Sequence, residues 1–168
     1  ITVGKASPEV TTSQEPASGT VGSTFKDKAT ISGLFGAKPA GSVSWKLYDN
    51  SKCEGAPVAG DGPVGVTGNG GYATPSGASP VPAGTYYWVA TYSGDVNNSS
   101  ASETGNATNG EQTLVLPTPP PSIVTTASNP ITLGTAAPTV SDSLVLSGAF
   151  FPTGSVTFSL TGPGGFTY

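Results

Sequence analysis

The chain has 168 residues, enough for one large domain or two small ones, and its 35% apolar content suits a thin core rather than a thick helical one. All six basic residues are lysine, none lies beyond Lys52, and the formal charge is −4, so a phosphate-neutralising surface is missing and nucleic acid is excluded as a partner. There is no histidine and only one cysteine, which removes most nucleophilic and metal-centred enzymes, and no run of about 20 apolar residues suggests membrane insertion.

The 24 glycines and 16 prolines leave no uninterrupted window of a dozen residues with helical period, so the expected class is all-β. Both ends fall in strand-like runs, Ile1-Thr2-Val3 and Gly165-Phe166-Thr167-Tyr168, as expected of a piece of a longer array. Residues 1–7 then form the last strand of a preceding repeat plus a short linker. Strands are predicted near 9–13, 28–34, 41–48, 62–67, 70–74, 85–93 and 111–116, separated by Gly, Pro, Asn and Asp clusters. Seven short strands over residues 8–116 predict two packed antiparallel sheets. Val43, Trp45 and Leu47 should face inward from one strand and Tyr86, Trp88, Ala90 and Tyr92 from its neighbour, making the structural core. Each such burial contributes on the order of 1.5–3 kcal/mol.

The run Leu116-Pro117-Thr118-Pro119-Pro120-Pro121 predicts a semi-rigid linker over 117–121. Beyond it the sequence repeats itself. Pro8-Glu9-Val10-Thr11-Thr12 is echoed by Ser122-Ile123-Val124-Thr125-Thr126, and Ile31-Ser32-Gly33 by Leu146-Ser147-Gly148. Pro39, Gly41, Ser42, Val43, Trp45 and Leu47 have counterparts in Pro152, Gly154, Ser155, Val156, Phe158 and Leu160. The period, about 114 residues, is that of a domain array rather than a solenoid. Residues 122–168 are therefore expected to be the first half of a second repeat, ending after its third strand and unable to close alone.

The segment Ala83-Gly84-Thr85-Tyr86 followed by Tyr92-Ser93-Gly94-Asp95-Val96-Asn97 resembles bacterial Ig-like domain repeats, as do Pro39-Ala40-Gly41-Ser42-Val43 and Cys53-Glu54-Gly55-Ala56-Pro57. The resemblance spans most of residues 8–116 and, more weakly, 122–160. It implies an immunoglobulin-like β-sandwich in tandem repeats, with Gly84-Thr85-Tyr86 as a tyrosine-corner turn. It also implies an extracellular or cell-surface location and a stalk, spacer or adhesive role. Relatives with a cysteine near position 53 often carry a second one shortly before the last strand, where this chain has Gly105. Cys53 is then either buried, tolerated, or an inter-chain thiol.

No catalytic residue and no cofactor are expected. Asp95, Asn97 and Asn98 place hard oxygen ligands in one loop, a candidate calcium set, although the same side chains suit turn capping. The ten acids otherwise read as solvated charges at turns and edges. Lys28 or Lys46 is a candidate for an intramolecular lysine–asparagine bond of the kind some Ig-like surface domains carry, or a solvent-facing charge. Asn97, Asn98 and Asn106 each open an N-x-Ser/Thr triplet. Tyr48, Tyr72 and Tyr87, as exposed rings, either line a carbohydrate-binding face or pack across strands. Three roles follow: a structural repeat bound to neighbouring repeats, a filament subunit completed by strand exchange between identical copies, and a glycan-binding module of a secreted enzyme. In the filament, residues 1–3 are donated and the incomplete repeat accepts them.

Overall fold

The computed structural model describes residues 1–36, 39–80, 82–104, 111–132, 134–136, 138–165 and 167. The chain is all-β and divides into two compact units, Ile1–Pro117 and Thr118–Tyr168.

Among the described residues the first unit holds nine strands: β1 (Glu9–Glu15), β2 (Ser18–Thr20), β3 (Lys26–Ser32), β4 (Ser42–Tyr48), β5 (Ala59–Gly65), β6 (Gly70–Ala73), β7 (Gly84–Tyr92), β8 (Ala101–Thr104) and β9 (Gln112–Leu116). One sheet has the order β1-β3-β6; the other runs β2-β9-β7-β4-β5, with β8 also on β7. Strict alternation builds the core. Val10, Ala29 and Ile31 come from the smaller sheet, and Val43, Trp45, Leu47, Tyr86, Trp88, Ala90, Tyr92 and Val115 from the larger, all in one cluster with Phe25. A single core shared by two sheets is compatible with a β-sandwich. All six core residues anticipated from the Trp-bearing strands, Val43, Trp45, Leu47, Tyr86, Trp88 and Tyr92, are buried.

The β4–β7 pair carries most of the large side chains, with Trp45 opposite Ala90 and Leu47 opposite Trp88. Large residues thus face small or flat ones, and the layer fills without crowding. On the other side of β4, β5 is bulged: Val43 pairs with Val64 and Trp45 with Asp61. The strand starts at Ala59 rather than at the predicted position 62 because residues 59–61 pair with Leu47, Lys46 and Trp45.

β8 and β9 lie along the same side of β7, at Val89–Tyr92 and Gly84–Tyr87 respectively. The remaining partner of β9 is β2, in parallel register from Ser18↔Leu114 to Thr20↔Leu116. Backbone bonds from Leu114 N to Ala17 O (2.9 Å) and from Val21 N to Leu116 O (2.8 Å) continue the ladder at both ends.

The strand expected at residues 1–3 does not form. Ile1 and Val3 are exposed, and the first ladder contact is the bridge between Ala6 and Asn98. Three alternating residues form a strand only where an edge is available to pair with, and these residues have none here.

The second unit consists of β10 (Ser122–Ala127) and β11 (Asp142–Ser147), antiparallel, followed by a short 3₁₀ turn at Pro163–Gly165. Its pairing is antiparallel like that of β1 with β3, but the register is one residue off the sequence echo: Val10 faces Ile31, whereas Val124 faces Val145 and Ile123 faces Leu146. Gly33 and Gly148, each one residue past its strand, have φ of 76° and 74°. The third strand expected near Val156, Phe158 and Leu160 is not formed, and these three side chains are exposed. Alternation is present there, but no sheet edge receives it. The strand-like run at the C-terminus includes residues 166 and 168, outside the described residues.

Candidate functional site

The loop between β7 and β8 is organised by one carboxylate. Asp95 Oδ1 accepts from the backbone N–H groups of Asn97 and Asn98, both at 2.8 Å, and Oδ2 accepts from Ala40 N at 2.8 Å and from the Tyr92 hydroxyl at 3.1 Å. Asn98 Nδ2 donates to both oxygens at 2.9 Å. The Ala40 and Asn98 donors hold the Asp95 carboxyl well below the usual carboxylate range. Two glycines make this closeness possible. Gly94, at φ 75°, sits where a side chain would meet Ser100 N and Asn98 O, and Gly41, at φ 92°, packs directly on Gly94 O.

Asn98 is wholly buried and reaches beyond its own loop, accepting from Phe35 N at 2.8 Å and donating to Phe35 O at 3.1 Å. The structure therefore brings Asp95, Asn97 and Asn98 together, but as donors and acceptors to one another. With N–H and O–H groups aimed at both Asp95 oxygens, the loop presents donors where a calcium ion needs oxygen ligands. Turn capping, the second of the two roles anticipated for these residues, is what the geometry performs. Burial also closes Asn98 to glycosylation in the folded chain, whereas Asn97 is exposed. Asn106 lies outside the described residues.

The aromatic candidates do not form a common face. Tyr48 is buried, against the expectation of an exposed ring, because Leu47 and Tyr48 close the end of β4 together. Tyr72 packs against the core, and its hydroxyl accepts from Thr67 N and Gly68 N and donates to Gly68 O at 2.6 Å. Tyr87 is half-buried beside Tyr48 in the ladder. Tyr86 makes the expected corner, its hydroxyl donating to Pro82 O at 2.7 Å. Lys28 and Lys46 both alternate to the solvent side of their strands, away from any buried acid, which removes the inward lysine that a lysine–asparagine bond requires. Cys53 is half-buried with φ 53°, and burial pushes its thiol up, so it is not activated as a nucleophile.

One polar cluster was not anticipated. Asp27 is 2% exposed, on the inward face of β3 with Ala29 and Ile31. Burial pushes its carboxyl up to about 6, against partial relief from the N–H groups of Lys28, Trp45 and Ser13. Asp27 Oδ2, Trp45 Nε1 and Thr113 Oγ1 are buried without a completed hydrogen bond among the described residues. Glu111, just before β9, is pushed up to about 7 by burial and by the charges of Asp27 and Glu103, and it accepts a hydrogen bond from the Thr12 hydroxyl of β1. The expectation that all acids lie solvated at turns and edges fails at this end of the core. The missed signal was parity: Asp27 shares the inward phase of Ala29 and Ile31, but two flanking lysines make it look like part of a charged run.

Comparison with family models, curated proteins and solved structures finds no match for the chain.

Proposed function

We propose that the chain is a structural segment of an extracellular array of immunoglobulin-like β-sandwich repeats, acting as a stalk, spacer or fibre module that carries load. The observation that carries this is the parallel pairing of β2 with β9, which joins the first part of the unit to its last strand. Tension applied through the two ends of the unit slides these strands along each other, so several backbone hydrogen bonds must break together. Antiparallel strands pulled apart from one end instead open bond by bond.

Two further features support the repeat. The β10–β11 pair is antiparallel like β1–β3 and, like it, is followed by a left-handed glycine one residue past its second strand, Gly148 after β11 and Gly33 after β3. The Tyr86–Pro82 bond is the corner that the Ig-like resemblance implies. Single-molecule stretching of the chain held at its two ends tests the proposal. The expected trace has one abrupt, all-or-none rupture releasing the length of the first unit; a gradual extension at low force would count against it.

A second role, assembly by strand exchange between copies, is favoured by the second unit. Ile123, Val124 and Val145 stay exposed on a pair of strands with two open edges. Light scattering over a concentration series decides it: oligomers that persist in denaturant support assembly, and a monomer throughout rejects it.

A further inference from the structure

Thr12 and Glu111 are 99 positions apart, yet the hydroxyl of one donates to the carboxyl of the other. Thr12 shares the inward phase of β1 with Val10, and Glu111 continues the inward phase of Thr113 and Val115 in β9. The contact thus ties the first strand of the unit to its last, from opposite sheets. Beside it lies the buried Asp27. In the β1–β3 register Thr12 faces Ala29 and Gln14 faces Asp27, so Asp27 and Thr12 are diagonal neighbours on one face. One Asp27 oxygen has no completed hydrogen bond among the described residues.

We propose that Thr12 and Glu111 condense to an intramolecular ester that locks β1 to the start of β9. Thr12 Oγ1 attacks Glu111 Cδ, passing its proton to the Asp27 carboxylate. The new Oγ1–Cδ bond replaces one Cδ–O bond of the carboxylic acid. The departing oxygen leaves as water, carrying the acid proton of Glu111 and the proton held by Asp27, which returns to its starting state. Nothing is oxidised or reduced.

The chemistry needs Glu111 in its neutral form, because a carboxylate repels an incoming oxygen, and its carboxyl is pushed up to about 7. It also needs the ester to outlast hydrolysis. Holding the hydroxyl against the carboxyl makes the step unimolecular, an advantage that for well-oriented groups reaches on the order of 10⁵ M in effective concentration, and the burial that raises Glu111 limits the water that could reopen the ester. The bond adds to the load-bearing role proposed above but is read by mass rather than by force, so either can fail without the other.

The test is the intact mass of the full chain under denaturing conditions, with fragments sequenced after proteolysis. The expected result is a species lighter by one water, yielding a branched fragment that contains both residues 12 and 111 and is opened by hydroxylamine. Thr12→Val should restore the full mass and Thr12→Ser, which keeps the hydroxyl, should retain the loss. Asp27→Asn should slow its appearance at least tenfold. A wild-type chain at its full sequence mass overturns the proposal, as does a water loss that maps elsewhere, such as Asp61-Gly62, or that persists in Thr12→Val.

Discussion

Asn98 shows how much one buried polar side chain can hold. Its amide joins the Asp95 turn to the backbone of Phe35, the oxygen accepting from Phe35 N and the NH₂ donating to Phe35 O and to Asp95. Replacing it with alanine leaves the Phe35 N–H and C=O without partners. Asn98→Ala is therefore expected to cost about 1–3 kcal/mol in urea unfolding. Asp27 acts in the opposite sense. Its folded carboxyl titrates at about 6 against an ordinary 3.8, so the folded chain holds a proton that the unfolded chain has already released. The contribution is fully present below the ordinary value and is lost as pH rises through about 6, a change of about 3 kcal/mol. Asp95 and Asp61 are held low instead; their contribution is present above about pH 4 and lost below it. Urea midpoints should consequently fall between pH 4 and pH 7, with a free Glu111 carboxyl, pushed up to about 7, adding to the fall, and Asp27→Asn should lessen the fall and be more stable than the wild type at pH 8. A wild-type midpoint that rises over this interval would refute the burial of Asp27. None of this was legible from residue type. Asp95, Asn97 and Asn98 were recognisable as a set, but whether they cap or ligate depends on donors, such as Ala40 N, that arrive from another part of the chain.

Strands with strong alternation were legible because their periodicity and their burial have the same cause. β4 and β7 carry bulky residues at every second position, and each lies between two neighbours, so the pattern had only one sheet face to occupy. Trp88→Ala, at the centre of that pair, is expected to cost about 3–5 kcal/mol. β2 and β8 escaped notice for the converse reason. Ser18-Gly19-Thr20 has no apolar alternation and is a strand only because β9 supplies donors and acceptors alongside it. Ala101-Ser102-Glu103-Thr104 likewise takes its conformation from β7. Edge pairing of this sort is a tertiary event that local sequence does not encode. The alternation at 1–3 and 155–160 is the complement: a pattern without an edge, and so without a strand. In β9, which lies between β2 and β7, Leu114 is exposed while its N–H bonds Ala17 O, so a proline there removes that bond and crowds the acceptor carbonyl. Leu114→Pro should cost about 2 kcal/mol.

At the scale of the molecule the two units differ in kind. The first encloses a core drawn from both of its sheets, whereas the second is a two-stranded pair whose side chains are almost all exposed, an arrangement of marginal stability on its own. Hydrogen exchange should separate them, with β4 and β7 amides protected to near the global unfolding limit and β10 and β11 amides exchanging at least a hundredfold faster. The division falls after Pro117, within the proline-rich run Leu116–Pro121. The central claim is that the β2–β9 ladder, and not stability at large, resists tension. Stretching the chain by its ends therefore calls for two variants of similar equilibrium cost: Leu114→Pro in the ladder and Val66→Ala in the core, the latter also about 2 kcal/mol. A large drop in rupture force for Leu114→Pro with little change for Val66→Ala is the expected result, and equal drops in both would contradict it.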